Sequence, residues 1–508
     1  MAFQKGIDRE QTLLFPVSLE EMIPTEHPVR IIDLFIHTLN LEKLGFTKTV
    51  EAIEGRPAYD PKDLLKLYLY GYLNRIRTSR LLERECERNI EVMWLLRGLK
   101  PCFRTIAGFR SENAVGLKNI FRYFVQLLKT WNLVDGEIIA IDSSKFRAVN
   151  SKKNNFNPRK IERQLEYIDA KIESYLIELA QADEHEINTN EITENIIKQL
   201  GRQEKYLDIK QKLEASGEDQ ISTTDPDARS MILHGSVIEV AYNVQTAVDD
   251  KNKLIVHFDV TNTNDKKALH PVSNETKNVL GKDELVVLAD KGYHNAEQLN
   301  ACKENGIITY VAVPEIPRKS VIPAENYYGD KFSYNEQKDE YVCPQGNNLL
   351  TNGNWYIKKY KRYVTKVKQY KTSACGICPA RAECTTNPRG RIIERSQYSK
   401  ALEENGIRMK NDLKKYLLRQ QIVEHPFGTI KRQWSMDHIL LKGIKKNNGE
   451  FGLIYFTYNF RRVMNIFGFD EFIKQLRKLF FRTYSQWHRR IVNSIRYIFQ
   501  SYYQLRSI

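Results

Sequence analysis

Two aspartates that follow apolar runs, Asp142 in IIAID (138–142) and Asp290 in LVVLAD (285–290), are the residues of this chain best suited to do chemistry. A third carboxylate, Glu424, lies in RQQIVEHPFGTIK (419–431). Three carboxylates distant in sequence but converging in space would supply the hard oxygen ligands that two Mg²⁺ (or Mn²⁺) ions need. Such an ion pair activates an attacking oxygen and stabilises a leaving one in phosphoryl transfer. The chain carries a formal net charge of +15, from 78 Lys and Arg against 63 Asp and Glu. A polyanion that reacts at phosphate suits this balance better than a small neutral metabolite.

The surroundings of each carboxylate differ. Ile138 to Ile141 form a continuous apolar run, as in a central strand buried on both faces. A carboxylate at the end of such a strand is costly unless a metal or a strong donor meets it. Ser143, Ser144, Lys145 and Arg147 follow at once, with hydroxyls and cations suited to phosphate oxygens. Asp290 repeats the arrangement, with Gly292 for a tight turn and Asn295 to cap the next helix. Open sheets place reactive groups at the carboxyl ends of their strands. Either aspartate alone is equally explained as the cap of a strand-to-turn transition; two in one sheet are more specific. Glu424 precedes Lys431 by two helical turns, so a continuous helix puts them on one face. Pro426 and Gly428 predict a break beside Glu424, and a surface Glu–Lys pair is the ordinary alternative. His294 and His425 adjoin these residues without ligand spacing.

A second cluster is made of sulfur. Cys343, Cys375, Cys378 and Cys384 fall in a Tyr-, Lys- and Asn-rich stretch with little apolar material. Four thiolates can close a tetrahedral structural Zn²⁺ site, although the spacing is not a double CxxC ribbon, and reduced thiols remain the other reading. Cys86, Cys102 and Cys302 sit in apolar helical contexts and read as core.

The elements that must position these residues are legible in outline. The fold class is α/β, a mixed sheet flanked by helices, with several domains expected for 508 residues. Residues 1–130 read as helical: Asp60-Pro61 and Thr78-Ser79 are helix starts, and Arg75, Arg77, Arg80 and Arg104 make a basic, helix-turn-helix-like region suited to DNA. Core strands are expected over 131–150 and 223–314, with the turn Asp249–Asn252 in an antiparallel meander and helical crossovers after it. Residues 151–222 read as a helical hairpin with a seam at Ile161, Leu165, Ile168, Ile172, Tyr175 and Leu179. The cysteine insertion spans 315–405, the core resumes over 406–470, and 471–508 is a basic aromatic tail, either a nucleic-acid contact or a packed amphipathic helix. The N-terminus lacks an apolar signal core, and no run approaches the roughly 20 residues of a membrane span, so a cytoplasmic protein is expected.

The blocks AIDSSKFRAVNSK, STTDPDAR, YNVQTAVD, LADKGYHN and VEHPFGTIKRQW stand in the order found in one family. Over nearly its whole length the chain resembles bacterial insertion-sequence transposases of the DDE type. The branch it resembles has an RNase H-like core and a tyrosine-arginine-glutamate-lysine signature. The resemblance implies that Asp142, Asp290 and Glu424 bind two Mg²⁺ ions, that Lys431 is the signature lysine, and that Tyr416 and Arg419 contact DNA phosphate. The branch has three residues between arginine and glutamate; here four separate Arg419 from Glu424. It also implies Arg229 near DNA, double-stranded terminal repeats and target DNA as partners, a homodimer that pairs two ends, and a bacterial, nucleoid-associated location. Asp225 and Asp227 read as turn residues, Asp265 as a helix cap or a supporting carboxylate, and Trp434 as core or a base-stacking ring. A nuclease that does not join strands, and a silent DNA-binding regulator, are the competing readings.

Overall fold

The run Ile138–Ile141 lies at the centre of a six-stranded sheet. The computed structural model describes residues 18–50, 57–184, 189–314, 322–360 and 363–506. The opening MAFQKGIDREQ and parts of the cysteine insertion (315–321 and 361–362) therefore lie outside the described residues. So do the side chains of the basic tail beyond Phe481, whose backbone is helical to Arg506.

Six helices come first: α1 Val29–His37, α2 Pro61–Leu73, α3 Ser79–Arg88, α4 Ile90–Leu95, α5 Phe103–Glu112 and α6 Ala114–Thr130. Their starts follow capping chemistry. Asp60 accepts from Lys62 N with Pro61 at the first helical position, and Thr78 accepts from Leu81 N. The sheet strands are β1 Ile138–Arg147, β4 Arg229–His234, β5 Val237–Asp249, β6 Ile255–Thr261, β7 Leu285–Ala289 and β8 Ile307–Val311. (Asn155–Phe156 and Ile221–Ser222 are β2 and β3, a short separate pair.) The order is β4-β5-β1-β7-β8, with β6 also on β5. β5 runs antiparallel to β1, β4 and β6, while β1, β7 and β8 are parallel. The crossovers carry α9 Leu269–Leu280 and α10 Ala296–Glu304, the latter capped by Asn295. The chain is thus mixed α/β.

Between β2 and β3 stand α7 Pro158–Glu184 and α8 Asn190–Ser216, packed side by side. Their seam is buried at the base, at Ile161, Ile168, Ile209 and Leu213, while Leu176, Ile177 and Ile197 further out are exposed. After β8 comes a second sheet, β9 Ser333–Asn335, β10 Glu340–Val342, β11 Asn348–Thr351, β12 Tyr356–Tyr360, β13 Tyr363–Lys371 and β14 Ile393–Ser396, with α11 Arg381–Cys384 before the last strand. Its core is small: Phe332, Tyr341, Leu349, Tyr370 and Ile393. Then follow α12 Ser399–Asn411, α13 Leu413–Phe427 and α14 Ile444–Arg506, the last interrupted at Gly468, whose φ is 69°.

One continuous core joins the N-terminal helices, the main sheet and α14, so the boundary expected at residue 130 falls inside it. Gly449 and Gly452 of α14 explain the closeness. A Cβ at Gly449 would lie 2.5 Å from Ala114 Cα, and one at Gly452 would lie 2.7 Å from Leu117 O. Phe35, Phe124, Phe456 and Phe460 then pack ring on ring across α1, α6 and α14. Among the described residues no helix is long and apolar enough to cross a membrane.

Candidate active site

The parallel ladder between β1 and β7 ends at Ile141 opposite Ala289, so Asp142 and Asp290 are the next residue on each of two neighbouring strands. β1 does not stop at Asp142, as the sequence suggests. It runs on to Arg147 because β5 continues to pair with it. Asp290 leaves its strand and caps a short 3-10 turn, accepting from Gly292 N at 2.8 Å.

Asp142 is held by two groups. Its Oδ1 accepts from Ser143 N at 2.7 Å, and Arg419 Nη1 donates to its Oδ2 at 3.0 Å. Burial pushes its carboxyl up to about 6, against the pull of Arg419, and nearby Asp290 and Asp265 push the same way. Three carboxylates, Asp142, Asp290 and Asp265, therefore share one neighbourhood. Asp265 Oδ1 accepts from Asn243 Nδ2 at 2.8 Å and Gln245 Nε2 at 2.7 Å. Tyr293 donates its hydroxyl to Gln245 Oε1. Burial, and then Asp265, Asp142 and Asp290, hold the Tyr293 phenol well above its usual range, so it stays a donor.

Glu424 points elsewhere. Arg419 and Glu424 are both on α13, five positions apart, which is about 140° of rotation on a helix. With Arg419 on Asp142, Glu424 turns outward, is exposed, and accepts from Gln420 Nε2 at 2.7 Å. A spacing of four would have kept arginine and glutamate on one face. The break expected at Pro426 is absent: α13 runs through it to Phe427, and a π-helical turn over Gly428–Gln433 follows. The wider turn shifts the phase, so Lys431 does not line up with Glu424. Lys431 Nζ instead donates to Lys145 O at 2.6 Å and sits over the Phe146 ring, and burial pushes its ammonium down to about 8.

The other candidates are spread over the molecule. Tyr416 lies a turn before Arg419, whose guanidinium approaches its ring at 6.0 Å. Arg75, Arg80 and Arg104 are exposed, and Arg80 and Arg104 flank the Phe103 ring. Arg77 is 7% exposed and bonds Glu450, itself 0% exposed, at 2.7 Å, so it ties the N-terminal helices to α14. Arg229 turns back on Pro226 O and Ala228 O, 3.6 Å from Glu218. Asp225 and Asp227 accept backbone N–H groups at the start of α14, as turn residues do. Trp434 is buried beside Tyr458, and His425 bonds the Tyr458 hydroxyl.

The four cysteines of the insertion are free thiols that line one small cavity with Tyr327, Phe332, Leu349 and Arg391. Asn347 N donates to Cys343 Sγ at 3.4 Å, and burial pushes the Cys384 thiol up, with the other three sulfurs acting in the same direction. Among the described residues no three His, Cys, Asp or Glu side chains are close enough to hold a metal ion as they stand. For Mg²⁺ this is no obstacle, because it keeps several waters and takes one or two carboxylates plus substrate phosphate. A structural zinc site would have to draw its sulfurs together.

Sequence reasoning passed over Asn243 and Gln245. The signal was present: two fully buried amides at alternate positions of a largely apolar strand share one face and need a polar partner.

Two family profiles match the chain. One described as "Transposase DDE domain" covers residues 342–464, and one described as "Transposase domain (DUF772)" covers residues 17–112. No curated protein sequence matches. Among solved structures, a cryo-EM structure of a piggyBac transposase synaptic complex with hairpin DNA aligns at 10% identity and a TM-score of 0.29, over 92% of this chain and 81% of that one. A likeness so slight carries no argument about this chain.

Proposed function

The chain belongs to the DDE transposases of insertion sequences, and on that premise we propose that it cuts DNA at the ends of its own element and joins them to a target. The observation that carries this reading is the pair Asp142 and Asp290, side by side where the parallel strands β1 and β7 part. The strand order β6-β5-β1-β7-β8, in which β5 runs against the other four, supports an RNase H-like core.

The donor set at this site is all carboxylate, which fits Mg²⁺ or Mn²⁺, and Asp142 and Asp290 would hold the ions. Bound ions supply Lewis-acid stabilisation of the attacking and leaving oxygens. The chain's own groups do the rest. Arg419 keeps Asp142 ionised, and Lys145 and Lys431 stand at the far end of β1 to take phosphate oxygens. Glu424 is the third member by resemblance; its carboxylate is exposed and accepts from Gln420. Arg75, Arg80 and Arg104 offer exposed cations for the DNA backbone, whereas Arg77 serves the fold. Zinc at Cys343, Cys375, Cys378 and Cys384 would reinforce an insertion whose own core is five residues. Purified protein should carry one zinc per chain, lost in Cys378→Ser. A homodimer pairing two ends belongs to the same reading.

Incubation with the terminal repeats that flank the gene, a target plasmid and Mg²⁺ tests the activity. Cleavage plus joining by the wild type, and neither by Asp142→Asn with DNA affinity retained, is the expected result. Cleavage without joining would identify a nuclease instead, and binding without cleavage by either protein would leave a DNA-binding regulator.

A further inference from the structure

Asp265 sits at the turn between β6 and α9 and approaches the site from a different side than Asp142. Strand alternation places Ser143 and Gln245 on one face and Asp142 and Thr246 on the other. Asp265 bonds Gln245 and so reaches the site from the first face, with Asp290 in the loop beyond β7. Its two oxygens have different surroundings. Oδ1 is clamped by the amides of Asn243 and Gln245, and Tyr293 fixes which way the Gln245 amide points: its hydroxyl engages Oε1, leaving Nε2 for Asp265. Oδ2 borders the space beside Gly292. A Cβ at Gly292 would lie 3.0 Å from Asp290 Oδ1 and 3.6 Å from Asp265 Oδ2, so both carboxylates border the one space that a glycine leaves open there. Asn243 Oδ1, fully buried, has no hydrogen-bond partner.

We propose that Asp265 is a further ligand of the divalent-cation site, with Asp290 shared between it and Asp142, and that Asn243, Gln245 and Tyr293 are its positioning residues. This rests on the reading of Asp142 and Asp290 as metal-binding carboxylates. Two carboxylates that border one opening are enough for an ion that keeps part of its water shell. The clamp on Oδ1 presets Oδ2 at no further ordering cost, as groups behind metal ligands do. It also explains why a buried strand carries Asn243 and Gln245 at all.

The test is binding of Mn²⁺ to the full-length protein without DNA, followed by electron paramagnetic resonance of the free ion. Asp265→Asn keeps the Oδ1 acceptor and the side-chain shape, and removes the charge and the Oδ2 ligand. The proposal expects about tenfold or greater weakening of at least one Mn²⁺ site, with thermal unfolding unchanged. Gly292→Ala, which fills the space between the two carboxylates, should weaken the same site. Fe²⁺-driven backbone scission, mapped by mass spectrometry, should cut near Asp265 in the wild type and not in Asp265→Asn. Wild-type Mn²⁺ affinity in Asp265→Asn beside weakened binding in Asp142→Asn would overturn the role of Asp265 alone. Unchanged binding in Asp142→Asn and Asp290→Asn as well would overturn the underlying reading too.

Discussion

Replacing Arg419 by methionine should destabilise the metal-free protein by an amount that depends on pH, because Asp142 can take a proton instead of standing as an unpaired buried charge. Arg419 Nη1 lies 3.0 Å from Asp142 Oδ2. Unit charges ~4 Å apart at an effective dielectric of ~20 attract by ~4 kcal/mol. The Asp142 side chain is 24% accessible and that of Arg419 18%, so this is an upper bound. The carboxyl of Asp142 already titrates at about 6. Neutralising it at pH 7 therefore costs about 1.4 kcal/mol, which caps the loss at that pH. The sign follows from linkage. A carboxyl raised above its unfolded value of ~3.9 contributes stability below that value and loses it as pH rises through about 6. Without Arg419 the folded value rises further, so the loss continues upward at about 1.4 kcal/mol per pH unit. Urea unfolding midpoints should thus show almost no effect of Arg419→Met at pH 5, about 1.4 kcal/mol at pH 7 and ~3 kcal/mol at pH 8.5. In an Asp142→Asn background the effect should vanish at every pH. A loss that is constant from pH 5 to 8.5, or that survives Asp142→Asn, refutes the reasoning.

Three further outcomes are expected. Arg77→Met removes the guanidinium from the fully buried Glu450 and should cost ~3–5 kcal/mol in thermal unfolding, part of it recovered in Arg77→Met/Glu450→Gln, which drops the charge and keeps an acceptor for the Leu440 and Leu441 N–H groups. Gly452→Ala drives a methyl to 2.7 Å from Leu117 O and should cost ~1–3 kcal/mol, whereas Gly428→Ala, with nothing within 4 Å, should be neutral or slightly stabilising. Lys431, pushed down to about 8 by burial, should show a ¹³C-methyl resonance that titrates there after reductive methylation. Its depressed value means stability rises between pH 8 and ~10.4, and Lys431→Met should lose that rise.

The parts of the molecule readable from the chain alone were those set by local rules. Ile138–Ile141 and Leu285–Ala289 read as central strands because nothing polar interrupts them, and Asp60, Thr78 and Asn295 read as caps because their side chains act within one turn. What escaped was set by partners far away in sequence. β1 continues through Ser143–Arg147 only because β5 pairs with it. Arg77 looked like a surface cation because its partner, Glu450, is 373 positions away. Glu424 was assigned by resemblance with a break expected beside it at Pro426; instead α13 runs on to Phe427, and the extra residue after Arg419 and the π turn that carries Lys431 set its phase. Asp265 stayed open between a cap and a supporting carboxylate because its significance depends on Asn243 and Gln245, on a strand it does not adjoin in sequence.

The central claim is that Asp142 and Asp290 hold the same divalent ions, and metal-specificity exchange tests it most directly. A cysteine thiolate accepts Mn²⁺ better than Mg²⁺, the harder ion. Asp142→Cys and Asp290→Cys should each lose end cleavage in Mg²⁺ and regain a measurable part of it in Mn²⁺, with DNA affinity unchanged. Wild-type cleavage by either variant in Mg²⁺, or no rescue of either in Mn²⁺, would contradict the account.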